Sequence, residues 1–130
     1  MAEIVIDPFP SDAALNQLWR LAWGATDERA FGPLLARSLV HVGALEGTAL
    51  VGFVNVAWDG GEHAFILDTC VAPDFQRRGI ATGMVRQAAA QARQRGAAWL
   101  HVDFEPHLEG FYRGCGFGPT AAGLMRLCER

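Results

Sequence analysis

From Glu62 to Phe104 the chain reads as strand, basic glycine turn, helix and strand in succession. Glu62 to Val71 is rich in Phe, Ile, Leu and Thr, and Pro73-Asp74 stops it. Ile80 to Arg95 follows with Met84, Val85, Ala88, Ala89 and Ala92 on one face and Arg86, Gln87, Gln91, Arg93 and Gln94 on the other. Gly96 directly after it suits a helix stop, and Ala98 to Phe104 reads as the returning strand. Two strands joined through a helix pack as a right-handed crossover, which leaves few topologies open.

Upstream, Glu3 to Ile6 is a short alternating strand, broken by Asp7-Pro8-Phe9-Pro10. Ser11 or Asp12 suits the cap of a helix whose stripe is Leu15, Leu18, Trp19, Ala22 and Trp23. A second helix is expected over Glu28 to Ser38, with Pro33 early in it. Val40 to Leu45 and Thr48 to Ala57 form a hairpin turned at Glu46-Gly47, and Trp58-Asp59-Gly60-Gly61 turns the chain into the third strand of the meander. Beyond the crossover, Leu108 to Arg113 is a short helix, Gly114 to Gly118 a tight turn, and Leu124 to Cys128 a last strand. The order gives an α+β fold, a mixed and mostly antiparallel sheet with helices on both faces, built as one domain over residues 1–130. Trp19, Trp23 and Trp99 are expected in the core, and Trp58 at a pocket.

A formal charge of −3 removes any general attraction to nucleic acid or an anionic membrane, so an anion site has to be local. Three cysteines, Cys70, Cys115 and Cys128, form no CxxC and no evident disulfide framework. The first ten residues lack a charged segment followed by an apolar one, and no run is long enough to span a bilayer. A reducing cytoplasm is the expected compartment. His41, His63, His101 and His107 show no metal-ligand spacing, so no metal is expected.

The local anion site is at the head of the long helix. The first N–H groups of a helix have no partner within it and carry partial positive charge. Gly79 lets another group approach that backbone, and Gln76, Arg77 and Arg78 add side-chain donors. These features together suit a phosphate group. The same letters also occur in solvated loops that bind nothing. The stretch has neither the lysine of a Walker loop nor the three glycines of a dinucleotide fingerprint.

The wider pattern resembles the GNAT acetyltransferase superfamily. Gln76-Arg77-Arg78-Gly79-Ile80-Ala81 is similar to the family's pyrophosphate loop, with Ala81 at its last position. Phe111-Tyr112-Arg113-Gly114-Cys115-Gly116-Phe117 resembles its tail, one helix and one strand later. The resemblance runs from about residue 40 to the end. It implies an N-acyltransferase that takes the acetyl group from acetyl-CoA to a primary amine on a small molecule or peptide, by direct attack in a ternary complex. A non-catalytic acyl-CoA-binding regulatory domain is the alternative. In such folds the strands flanking the long helix splay apart. The resemblance then implies that the Cys70 and Val71 backbone meets the pantetheine arm, and that Gln76, Arg77, Arg78, Gly79, Ile80, Ala81 and Thr82 hold the diphosphate. Homodimers are common among the proteins it resembles.

Acyl transfer needs an amine without its extra proton, a polarised thioester and a proton for the leaving sulfur. Tyr112 matches the family's proton-donating tyrosine. Asp68 is expected as the base. Many relatives carry an acid there, and a carboxylate inside the apolar run FILDTCV is either in a cleft or buried at a cost. Glu105 is the rival, His101 and Asp103 share its strand, and water can relay the proton. Asp59, Glu62, Asp68, Asp103 and Glu105 near strand ends favour a cationic acceptor.

Overall fold

The computed structural model describes residues 2–128. Its elements are β1 (Glu3–Ile6), α1 (Asp12–Trp23), α2 (Gly32–Ala36), β2 (Ser38–Glu46), β3 (Ala49–Trp58), β4 (His63–Val71), α3 (Ile80–Gln94), β5 (Trp99–His101) and α4 (Glu109–Gly114). Strands run in the order β1-β2-β3-β4-β5, antiparallel except for the parallel β4–β5 pair that α3 connects. The expected mixed, mostly antiparallel sheet is thus present.

Helices cover both faces because the strands alternate. On β3, Phe53 meets Trp19 of α1 with ring centroids 5.9 Å apart. Its neighbour Gly52 points the other way, where an added Cβ would lie 2.9 Å from the Met84 methyl of α3. Two apolar layers result. One holds Leu15, Leu18, Trp19, Phe31 and Phe53, and the other Val54, Val56, Met84 and Ala88, all buried.

Local chemistry explains the boundaries. Ser11 caps α1, its Oγ accepting from Ala14 N at 3.1 Å, and Gly24 in the left-handed region ends the helix. α2 is shorter than the Glu28–Ser38 helix expected. Asn16 brackets the Arg29 backbone, donating to its carbonyl and accepting from its N–H, and Asp12 accepts from Phe31 N. These long-range bonds hold residues 28–31 out of helical form. β5 is also shorter than Ala98–Phe104, because its pairing with β4 ends at Phe65–His101. Leu124–Cys128 adds no strand: no strand among the described residues pairs with it, and Leu124 and Leu127 are exposed. No helix among the described residues is long and apolar enough to cross a membrane.

Two tryptophans expected in the core are outside it. Trp23 packs edge-on against Trp19 but is half-exposed, and Trp99 is 65% exposed. Trp58 closes its own turn instead of a pocket, donating from Nε1 to the Gly61 carbonyl at 2.8 Å.

Candidate active site

β4 carries a bulge. Phe53 pairs with Cys70 and Asn55 with Leu67, so Asp68 and Thr69 together face Val54. Asp68 takes the left-handed conformation at φ 59°, which aspartate tolerates better than most residues. Beyond Phe65, β4 runs on to Val71 with no β5 partner, and a gap opens between the strands. Ala72 N donates to Val51 O on β3, so alternation turns the polar groups of Val71 toward the gap. Gln76 Nε2 fills the Val71 carbonyl at 3.0 Å and ties the following loop to the strand end.

That loop delivers the chain to α3 through two left-handed residues, Arg77 at φ 63° and Gly79 at φ 80°. Gly79 caps α3 with no side-chain hydrogen bond, and nothing lies within 4 Å of where its Cβ would be. The first helical bond runs from Gly83 N to Gly79 O at 3.0 Å, which leaves the N–H groups of Ile80, Ala81 and Thr82 without helical partners.

A cleft of about 570 Å³ joins the gap to this helix start. Cys70 and Val71 of β4 form part of one wall, and Gln76, Arg77 and Gly79 through Thr82 another. Tyr112 and Phe111 of α4, with His107 just before it, close a further side, and Trp23 at the end of α1 overhangs. Among the residues expected to hold the cofactor, only Arg78 is off the wall; its guanidinium sits over the Phe75 ring, 5.0 Å from the centroid.

Tyr112 is 5% exposed, stacked on Phe104 at 4.9 Å and edge-on to Phe111 and Phe117. Burial is the largest influence on its phenol and raises the pKa; Thr69 acts downward, Cys115 and Asp103 upward. Thr69 Oγ1 nevertheless has no hydrogen-bond partner in geometry, so the two hydroxyls are neighbours without a formed bond. Cys70 is buried, and desolvation, with the Asp68 charge added, pushes its thiol up to about 12.

Asp68 is not on the cleft wall. Burial raises its carboxyl, and Arg29 opposes that rise. Glu105 and Asp103 are exposed and also off the wall, and His101 pairs with His63 at 2.8 Å. His107 and Trp23 are cleft residues that the sequence reading does not select. Gly24 marks the end of α1, so an aromatic in its last turn overhangs the sheet; that signal is in the chain. His107 carries no comparable signal, because its place is fixed by where the chain leaves β5.

A sheet with one parallel crossover, splayed strands and a cleft at the crossover helix defines an acetyltransferase fold of the GNAT type. Residues 3–117 match the model of the acetyltransferase (GNAT) family, and the chain belongs to this family. It is 37% identical over 80 residues to an uncharacterised N-acetyltransferase of Porphyra purpurea, a match covering 62% of this chain and 46% of that protein. The chain therefore spans about half the length of the curated relatives it matches. A GNAT-family acetyltransferase of Streptococcus pneumoniae superposes with a TM-score of 0.83 at 26% identity, covering 100% of both chains. The aminoglycoside N-acetyltransferase AAC(6')-Iy, solved in complex with CoA, shares the fold at 15% identity and a TM-score of 0.72, covering 98% of this chain and 97% of its own.

Proposed function

We propose that the protein is an N-acetyltransferase that moves the acetyl group of acetyl-CoA to a primary amine by direct attack. The observation that carries this reading is one continuous cleft with unpartnered helix N–H groups at one end and a buried phenol on its wall. Its volume falls within the range of about 300–1,000 Å³ usual for small-molecule sites. The N–H groups of Ile80, Ala81 and Thr82, with Arg77, suit a diphosphate, and the open space at Gly79 lets it approach. The Val71 N–H and the apolar wall suit a narrow amide-bearing arm between the strands.

The chemistry then divides among few groups. The ammonium gives up one proton to Asp68, directly or through water, before its nitrogen attacks the thioester carbon. As the C–S bond breaks, Tyr112 gives its proton to the sulfur, and the new amide nitrogen sheds its second proton, which restores the phenol. Burial keeps Tyr112 protonated at neutral pH, as a donor must be. A thiol at about 12 is a poor nucleophile, so Cys70 supports direct transfer over an acyl-cysteine.

The lack of a carboxylate on the cleft wall, among the described residues, favours a second reading, a regulatory domain that binds acyl-CoA without turnover. Release of free CoA thiol from acetyl-CoA, measured across a panel of amines, separates the two. Amine-dependent release is expected. CoA binding with no release from any amine would leave only the regulatory reading.

A further inference from the structure

Thr69 is the second residue of the β4 bulge, and it is part of the cleft wall. A bulge breaks the alternation of a strand and re-aims the side chains it carries. The Thr69 Oγ1 is shut off from solvent and has no hydrogen-bond partner among the described residues. A buried hydroxyl ordinarily has a partner, because leaving one unpaired is costly. One left open on the wall of a reaction site is a donor without a present use.

The phenol of Tyr112 is on the same wall, and Thr69 acts on it. Phe104 stacks on the phenol with centroids 4.9 Å apart, and Phe111 and Phe117 are edge-on at 4.8 and 5.8 Å. These rings carry no hydroxyl or N–H to offer a negative oxygen. Of the polar groups that act on the phenol, Cys115 and Asp103 disfavour a negative charge there, and Thr69 alone favours it. While Tyr112 holds its proton, this matters little. Once the proton has gone to the sulfur, a phenolate is left among apolar rings, and a charge there costs far more than a neutral phenol. A hydroxyl that is already desolvated and bonded to nothing else can meet that charge without giving up another partner.

Building on the acetyl-transfer reading with Tyr112 as its acid, we infer that Thr69 is a positioning residue whose hydroxyl donates a hydrogen bond to the Tyr112 oxygen as that oxygen loses its proton. The Thr69 proton stays on Oγ1 throughout. The phenol's own proton goes to the departing sulfur and is replaced from the new amide nitrogen. Because the bond is absent in the resting protein and forms as charge develops, it lowers the barrier without tightening substrate binding.

The test compares Thr69→Val and Thr69→Ser with the unaltered protein, using acetyl-CoA and an amine that the panel identifies. Valine keeps the shape and removes an unpaired hydroxyl, so unfolding in urea should need as much denaturant as before, or more. Its kcat is expected to fall about ten- to a hundredfold, the range for a hydrogen bond to a charged group, with the amine KM and the CoA Kd unchanged. Thr69→Ser is expected to regain most of that loss. In a Tyr112→Phe background, Thr69→Val is expected to cost nothing further, since the oxygen it serves is gone. Tyr112 is the one tyrosine in the chain, so tyrosinate absorbance follows it alone. The midpoint of that absorbance is expected to rise in Thr69→Val and to hold in Thr69→Ser. Cys70, Arg77 and His107 share the cleft and are the same in every variant, so they do not produce the difference. An unaltered kcat or midpoint in Thr69→Val overturns the inference and leaves acetyl transfer standing. So does a loss that serine does not repair, or one that recurs in full without the Tyr112 hydroxyl. A protein that binds CoA but releases no CoA thiol from acetyl-CoA with any amine loses both.

Discussion

Gln76 donates its side-chain amide to the carbonyl of Val71, five residues back, at 3.0 Å. This bond fixes the angle at which the chain leaves β4 and enters α3. It also occupies the Val71 carbonyl while leaving the neighbouring N–H free to face the gap. Gln76→Ala should therefore loosen the loop without touching the core. A neutral hydrogen bond is worth about 1 kcal/mol, so the CoA Kd should rise roughly fivefold by calorimetry. An unchanged Kd would mean the loop holds its shape without this bond.

Gly79 is the second point of control. An L-residue at φ 80° costs about 1–2 kcal/mol, and its Cβ would project into the open space proposed for the diphosphate. Gly79→Ala should lower stability in urea by about that amount and weaken CoA by more than the same factor. A CoA affinity that survives intact would remove Gly79 from the ligand's path.

Tyr112→Phe keeps the rings stacked on Phe104 and removes only the hydroxyl. The kcat should fall about 10²- to 10⁴-fold with the CoA Kd unaltered. The sign of the pH dependence follows from the raised pKa. The donor must be protonated, so rate is lost as pH rises through a value above the ordinary tyrosine range, and neutral pH lies on the plateau. An unaltered kcat in the variant, or an alkaline loss that begins near neutrality, would exclude the phenol as the acid.

Cys70 should be inert. With its thiol pushed up to about 12, iodoacetamide at pH 8 should not label it, and Cys70→Ala should keep most of the activity. An acetylated Cys70 trapped by mass spectrometry would contradict direct transfer.

His41 governs stability rather than chemistry. Its Nε2 accepts from Phe9 N at 2.9 Å, which requires that nitrogen to be unprotonated. Burial is the main cause of its lowered pKa, Asp7 opposing it and Arg95 assisting. A folded pKa below the ordinary 6.5 means the unfolded chain takes the proton first. The contribution is thus complete above pH 6.5 and lost as pH falls from there through the folded pKa. Unfolding by urea should be easier at pH 5.5 than at 7.5, and His41→Gln should flatten that difference. An equal slope in the variant would assign the acid sensitivity elsewhere.

Much of this is readable in the chain because local signals and tertiary demands agree. Ser11 caps the helix it precedes, Glu46-Gly47 turns the hairpin, and Gly79 and Gly96 bracket α3. The misses share one cause, in that distant groups decide them. Asn16 and Asp12 draw residues 28–31 away from a helix that local propensity allows. The bulge at Asp68 is invisible to a period-two pattern, and it lies beyond the point where β5 pairing ends and leaves Asp68 off the cleft wall. Trp23 and Trp99 have the apolar character of core residues, yet the sheet edge runs out beneath them.

The proposed grip of the α3 start on a diphosphate is tested most directly by calorimetric titration of the protein with CoA and, separately, with pantetheine, which lacks the phosphates. CoA should bind at micromolar Kd and pantetheine at least about a hundredfold more weakly, a difference of roughly 2.7 kcal/mol. Equal binding of the two, or no heat with either at millimolar concentration, would contradict it.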